Sequence, residues 1–168
     1  MLRDLPDTRR SALLRRERPD RALGSVPVSS ADSVAVPVSV LVYSHRPEVR
    51  AAVRTAVGRR PAPDVGPVQY VECSTGNEVV ALVRGGGVDL CILDGEAQPT
   101  GGLALSRQLE EELADRPPVC VLVARQQDRW LAHWSMAEAT LPFPVDPLVA
   151  PQVVADLLRT GRSAARLT

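Results

Sequence analysis

The sequence predicts a doubly wound α/β domain built on a five-stranded parallel sheet, and three observations carry that prediction. From Val38 onward, short β-rich apolar runs alternate five times with stretches whose apolar residues recur at helical spacing. The middle runs, inside DLCILD (89–94) and PVCVLVA (118–124), are continuously apolar, as strands are when helices cover both faces of a parallel sheet. The 168 residues, 45% of them hydrophobic, suffice for one packed core plus some extra sequence.

The first strand is VSVLVY (38–43). PEVRAAVRTAVG (47–58) follows as a helix, with Pro47 at an early position where its missing N–H costs nothing and Gly58 as the stop. After the loop RRPAPDVGP come the strand VQYVECS (68–74) and the helix TGNEVVALVRGGG (75–87), ended by three glycines. DLCILD is the third strand and ends in Asp94; GLALSRQLEEELADR (102–116) is a helix with Leu103, Leu105, Leu109 and Leu113 largely on one side. PVCVLVA is the fourth strand, and QDRWLAHWSMAEA (127–139) reads as the fourth helix. The pattern closes with a short strand ATLPF (139–143) and a helix over PLVAPQVVADLLRTG (147–161), whose start Pro151 blurs.

The domain thus spans 38–160, with a short tail over 161–168. Residues 1–37 read differently. MLRDLPDTRRSALLRRERPDRAL is dense in both charges, and GSVPVSSADSVAVP sustains neither regular period, so a disordered arginine-rich arm and linker is expected there. Within it, Arg9, Arg10, Arg15, Arg16 and Arg18 flank Leu13 and Leu14, which suits either a short basic helix on a partner or a solvated tail.

Formal net charge is zero and the pI is near 6.7, so no global field draws this chain to nucleic acid or to an anionic membrane. The apolar runs are strand-sized, short of the ~18 residues of a membrane span, and no apolar signal core follows the first arginines, so a cytoplasmic location is expected. Cys73, Cys91 and Cys120 lie in or beside apolar runs without metal-type spacing and read as buried, reduced thiols. All 20 basic side chains are arginine; there is no lysine.

In a doubly wound sheet, functional groups collect where loops leave the carboxyl ends of the strands. Those ends hold Ser44, His45 and Arg46 after the first strand, Asp94 at the third, and Val123 and Ala124 at the fourth.

Over 38–160 the chain resembles the receiver domain of bacterial two-component response regulators, of the chemotaxis-regulator kind. The resemblance rests on VSVLVY leading into HRPEVRAAVR, DLCILD ending in Asp94, the PTGGLAL turn into the third helix, PPVCVLVAR, and LPFPVDP before the last helix. It implies a flavodoxin-like (βα)5 receiver fold with Asp94 at the phosphoacceptor position. In a working receiver, Mg²⁺ held by an acidic pair, a lysine and a Ser/Thr hydroxyl stabilise the transferring phosphoryl group.

Here the acidic pair is replaced by Ser44 and His45, and a third common acidic position by Arg46. Val123, followed by Ala124, stands at the hydroxyl position, and Phe143 stands where the lysine should precede Pro144. Only Glu96 remains as a nearby acidic helper, so Mg²⁺ binding is expected to be weak or absent and no cofactor is expected. What the resemblance implies instead is that Arg46 and protonated His45 lie close to Asp94, with an Arg–carboxylate pair in the space the cation normally fills.

Several features have plainer readings. GGG at 85–87 lies at the edge opposite the functional one and is a helix stop, and Glu110 to Glu112 form a solvated helix face. His45 and His133 have no cluster of metal ligands around them. Trp130 and Trp134, spaced i, i+4, share one helical face and read as core or as an exposed aromatic patch. In the receiver family the helix 4–strand 5–helix 5 face makes dimer and output contacts, which makes Arg129, Trp130, His133 and Trp134 the candidates for a protein partner or a homodimer.

The residues after the last helix are too few for a DNA-binding output domain. The expectation is therefore a stand-alone pseudo-receiver, not an enzyme, without direct nucleic-acid or membrane contact. A phosphorelay receiver with residual chemistry at Asp94 is one alternative. A ligand sensor is another, using the pocket between Ser44, Asp94 and Val123 to control a dimer.

Overall fold

The computed structural model describes residues 36–165, excepting the side chains of Gln126, Arg129, Ala132, Ala164 and Ala165. The elements alternate as β1 (Val38–Tyr43), α1 (Pro47–Val57), β2 (Val68–Cys73), α2 (Gly76–Gly85), β3 (Leu90–Asp94), α3 (Gly102–Glu112), β4 (Val119–Val123), α4 (Trp130–Ser135), β5 (Ala139–Pro142) and α5 (Ala150–Ala165). The strands form one parallel sheet in the order β2-β1-β3-β4-β5. β1 and β3 are neighbours, in register from Val40 with Leu90 to Tyr43 with Leu93, so their carboxyl ends emerge side by side.

Alternation along the strands sorts the core into two layers. Val40, Val42, Leu90, Ile92, Cys120 and Leu122 pack with Val49 and Val53 of α1 and Val154 and Leu158 of α5. Leu41, Tyr43, Cys91, Leu93, Val119 and Val121 pack with Val79 and Val83 of α2 and Leu105 and Leu109 of α3. β3 and β4 are buried along their whole length, which is why neither carries a polar residue before Asp94. The three cysteines are buried and free; burial pushes the Cys73 thiol up to about 11 and those of Cys91 and Cys120 up to about 12, so none is a thiolate at neutral pH.

Local chemistry sets most element ends. Pro47 opens α1, and Gly58 closes it at φ 73. A capping box opens α2: the Thr75 hydroxyl accepts from the Glu78 N–H, and the Glu78 carboxylate accepts from the Thr75 N–H. At the start of α3, a Cβ on Gly102 would stand 2.8 Å from the Asp94 carbonyl. Only glycine lets α3 begin so close to the end of β3.

Three helices differ from their sequence-predicted bounds. α3 stops at Glu112 instead of reaching 116, because Leu113 turns extended and Pro117 disfavours a helical Arg116. The expected fourth helix, 127–139, splits into a 3-10 turn over Gln126–Arg129 and the short α4, and Met136 then turns left-handed at φ 60. α5 begins three residues late, after the Asp146 carboxylate accepts from the Leu148 N–H, and it continues through Gly161 to Ala165, into the segment expected as tail. The expected arm lies outside the described residues except for Val36 and Pro37.

Candidate functional site

The site forms at the carboxyl edge, where β1, β3, β4 and β5 open onto their loops. Ser44, the first residue after β1, is fully buried beside Asp94, the last residue of β3. Its hydroxyl donates to Asp94 Oδ2 at 2.7 Å and accepts from the Arg46 N–H at 3.0 Å. Behind it, Arg50 of α1 donates to the Ser44 carbonyl at 2.6 Å and to the Glu72 carboxylate at 2.9 Å. Arg50 and Arg54 together hold Glu72 below the usual carboxylate range.

Arg46 brings the cation. Its Nη2 donates to Asp94 Oδ2 at 3.1 Å, with the arginine side chain 37% exposed and the aspartate 3%. The guanidinium carbon lies 6.0 Å from the centre of the Phe143 ring, while Arg46 Nε is buried without a partner. Asp94 Oδ1 accepts from the Glu96 N–H at 3.0 Å. The carboxylate is thus held by a hydroxyl, a guanidinium and a backbone amide.

The loop from Gly95 to Gly101 is tied back to β1. The Tyr43 hydroxyl donates to the Thr100 carbonyl at 2.7 Å, and the Gln98 N–H donates to His45 Nδ1 at 3.0 Å, which requires that nitrogen to be unprotonated. Burial, with the Asp94 charge behind it, pushes the Tyr43 phenol up. His45 therefore faces this loop and not Asp94, contrary to the expectation of a second cation on the carboxylate.

In front of Asp94 is a half-open cleft of about 140 Å³. Arg46, Asp94 and Glu96 supply its charges, and Leu122, Val123, Ala124 and Phe143 its apolar walls. The structure thus brings six of the sequence-predicted positions together: Arg46, Asp94, Glu96, Val123, Ala124 and Phe143. Ser44 stands behind the carboxylate and His45 to one side. Tyr43, Arg50 and Leu122 are the site residues that sequence reasoning missed; an arginine one helical turn after the Ser44-His45-Arg46 junction is the one signal that pointed to Arg50.

The donor set does not fit Mg²⁺. Asp94 Oδ2 already holds a guanidinium N–H and a hydroxyl, and Oδ1 a backbone amide. No group of three or more His, Cys, Asp and Glu among the described residues is arranged to hold a metal ion.

Trp130 and Trp134 are both outside the core, 66% and 50% exposed, one turn apart on α4. The Arg107 guanidinium of α3 lies 5.4 Å from the Trp134 ring, which puts Trp134 at the α3 border of α4. His133 is exposed, and the Arg129 side chain lies outside the described residues.

No family profile matches the chain. Two proteins of Mycobacterium tuberculosis, from strains CDC 1551 / Oshkosh and H37Rv, each described as an uncharacterized response regulatory protein, are 50% identical to it over 120 residues; the match covers 71% of this chain and 90% of each relative. Among solved structures, the receiver domain of Francisella response regulator 1452 superposes with a TM-score of 0.61 at 16% identity, covering 73% of this chain and 98% of that one. A CheY-like receiver domain protein of Methanospirillum hungatei does so at 0.60 and 12%, covering 77% and 99%. The response regulator TrrA of Thermotoga maritima, whose structure is a complex with Mg²⁺-BeF, gives 0.55 at 22%, covering 71% and 98%. These structural likenesses establish the same fold.

Proposed function

The chain belongs to the response-regulator receiver family of two-component signalling, and from that premise we propose that it is a pseudo-receiver, acting through protein contact and not through phosphorylation of Asp94. The observation that carries this reading is the Arg46 guanidinium on Asp94 Oδ2. Phosphoryl transfer to a carboxylate needs a free oxygen in line with the donor and a cation plus donors around the oxygens of the transferring group. Here Oδ2 is engaged twice, Oδ1 accepts a backbone amide, and the walls at Val123 and Phe143 offer neither a hydroxyl nor an ammonium. The protein is accordingly read as a non-enzyme without a bound cofactor, working in the bacterial cytoplasm. In support of that place, no helix among the described residues is long and apolar enough to cross a membrane.

Intact mass after incubation with acetyl phosphate and Mg²⁺ tests this reading. No phosphate-sized gain is expected, while a receiver with a complete acidic site is labelled alongside. A gain in the parent that Asp94→Ala abolishes would return the chain to the conventional phosphoacceptors.

The contact surface we assign is the exposed face of α4, centred on Trp130 and Trp134 and shared with a protein partner or a second copy. Two tryptophans this exposed one turn apart support that reading, since binding hot spots are enriched in this residue. Replacing both by alanine should weaken self-association or partner capture about tenfold or more and leave the circular dichroism spectrum unchanged. Sedimentation and capture profiles identical to the parent's would exclude this surface.

A further inference from the structure

We infer that the cleft in front of Asp94 is a binding site for a small zwitterion of the α-amino acid class. The inference rests on the reading that Asp94 is not a phosphoacceptor, and three features of the cleft support it.

The first is a charge pattern with two poles. Glu96 is exposed, and among the described residues its carboxylate has no partner. Arg46 at the other pole makes one bond from Nη2 to Asp94 and keeps Nε buried without an acceptor. A guanidinium has five N–H donors in a fixed fork that matches a carboxylate with two bonds. Only one of those donors is spent on Asp94, and the side chain, 37% exposed, lines the cleft, so the remaining Nη donors and not the buried Nε are what an arriving carboxylate would meet.

The second is what the pattern excludes. A simple anion drawn to Arg46 meets the charges of Asp94 and Glu96, and a simple cation drawn to Glu96 meets Arg46. A molecule carrying an ammonium and a carboxylate on the same carbon sets each charge against its opposite, its ammonium toward Glu96 and Asp94 Oδ1 and its carboxylate toward Arg46.

The third is size and lining. A cavity of about 150 Å³ holds benzene, so a half-open cleft near this volume admits a compound of about six to eight heavy atoms. Val123, Ala124 and Phe143 give an aliphatic side chain an apolar wall, where receivers of the resembled kind place a hydroxyl and an ammonium.

Calorimetric titration and thermal denaturation of the full chain with L-alanine and L-valine test the inference. Isobutylamine and isovalerate, which carry each half of valine alone, are the controls. L-valine or L-alanine should raise the melting temperature with the logarithm of concentration, and neither half-molecule should do so at equal concentration. Glu96→Gln, at an exposed position that leaves the fold intact, should weaken amino-acid binding about tenfold or more, as should Arg46→Ala.

Binding by isobutylamine alone or isovalerate alone as strong as valine's would overturn the inference, as would the absence of binding by both amino acids or a Glu96→Gln protein that binds like the parent. The titrations contain no phosphodonor, so failure here is read separately from acetyl-phosphate labelling, which bears on the pseudo-receiver reading.

Discussion

Asp94→Ala is expected to lower the stability of the fold by about 2 kcal/mol, roughly a 1 M fall in the urea midpoint. The carboxylate is 3% exposed and accepts three hydrogen bonds, from the Ser44 hydroxyl, the Arg46 guanidinium and the Glu96 amide. Removing it strands the Ser44 hydroxyl, which is fully buried, and part of the Glu96 amide's environment; Arg46 is half in solvent and recovers hydration. The loss is therefore smaller than the ~3–5 kcal/mol seen when both members of a broken pair are buried.

The sign matters more than the size. Where several carboxylates crowd one site without their metal, like charges repel and removing one relieves the fold. Here the neighbours of Asp94 are donors and a cation, so its removal should destabilise. A thermal or urea midpoint for Asp94→Ala equal to the parent's, or above it, would mean that Asp94 is held against its surroundings, and the architectural reading would fall. Arg46→Ala and the double variant complete the cycle, with a coupling of about 0.5–1 kcal/mol expected for a half-exposed pair.

The order of elements was legible in the sequence because parallel, doubly covered strands write themselves as continuous apolar runs, and all five appear within two residues of their predicted ends. The Arg46–Asp94 pair was legible too. Both residues stand at carboxyl strand ends, and adjacency of β1 and β3, which periodicity alone does not give, followed from the family resemblance.

What sequence reading missed depends on tertiary partners. Nothing local turns His45 toward the Gln98 amide and away from Asp94; a loop seven residues long, fixed at its far end by Tyr43, does that. The split of the fourth helix was equally hidden. Residues 127–139 have helical composition, but Glu138 accepts from the Val119 N–H at 2.6 Å, and β5 begins one residue later, which cuts the helix short. Both tryptophans lie exposed on the short α4, and the Arg107 guanidinium of α3 lies over the Trp134 ring, a tertiary contact that the i, i+4 spacing alone does not reveal.

The largest loss of stability is expected at a residue outside the candidate site, Arg116, where alanine should cost about 3 kcal/mol. Its side chain is 7% exposed, and its guanidinium spends all of its donors. Nε donates to Glu110; Nη1 donates to the Pro117 carbonyl and Glu138 at 3.1 Å each; Nη2 donates to the Met136 carbonyl at 2.6 Å and to Glu138 at 2.9 Å. Its two carboxylate partners hold the guanidinium's proton more tightly than in free arginine.

Through these bonds one side chain joins the end of α3, the start of β4 and the turn at Met136, whose left-handed backbone has no glycine to ease it. Glu110 and Glu138 are partly exposed and would recover water, which keeps the loss below that of a fully buried triad. Lysine should rescue little, since a single ammonium with three donors cannot span two carboxylates and two carbonyls.

A second readout separates this anchor from a generic stabiliser. Met136 directly follows Ser135 at the end of α4, so releasing it should loosen the segment bearing Trp134 and shift tryptophan emission before global unfolding. An Arg116→Ala protein with parental urea midpoint and parental tryptophan emission would show that the network is an ornament of the surface. With the expected result, the exposed face of α4 owes its shape to an ion-pair network at the opposite edge of the sheet from Asp94.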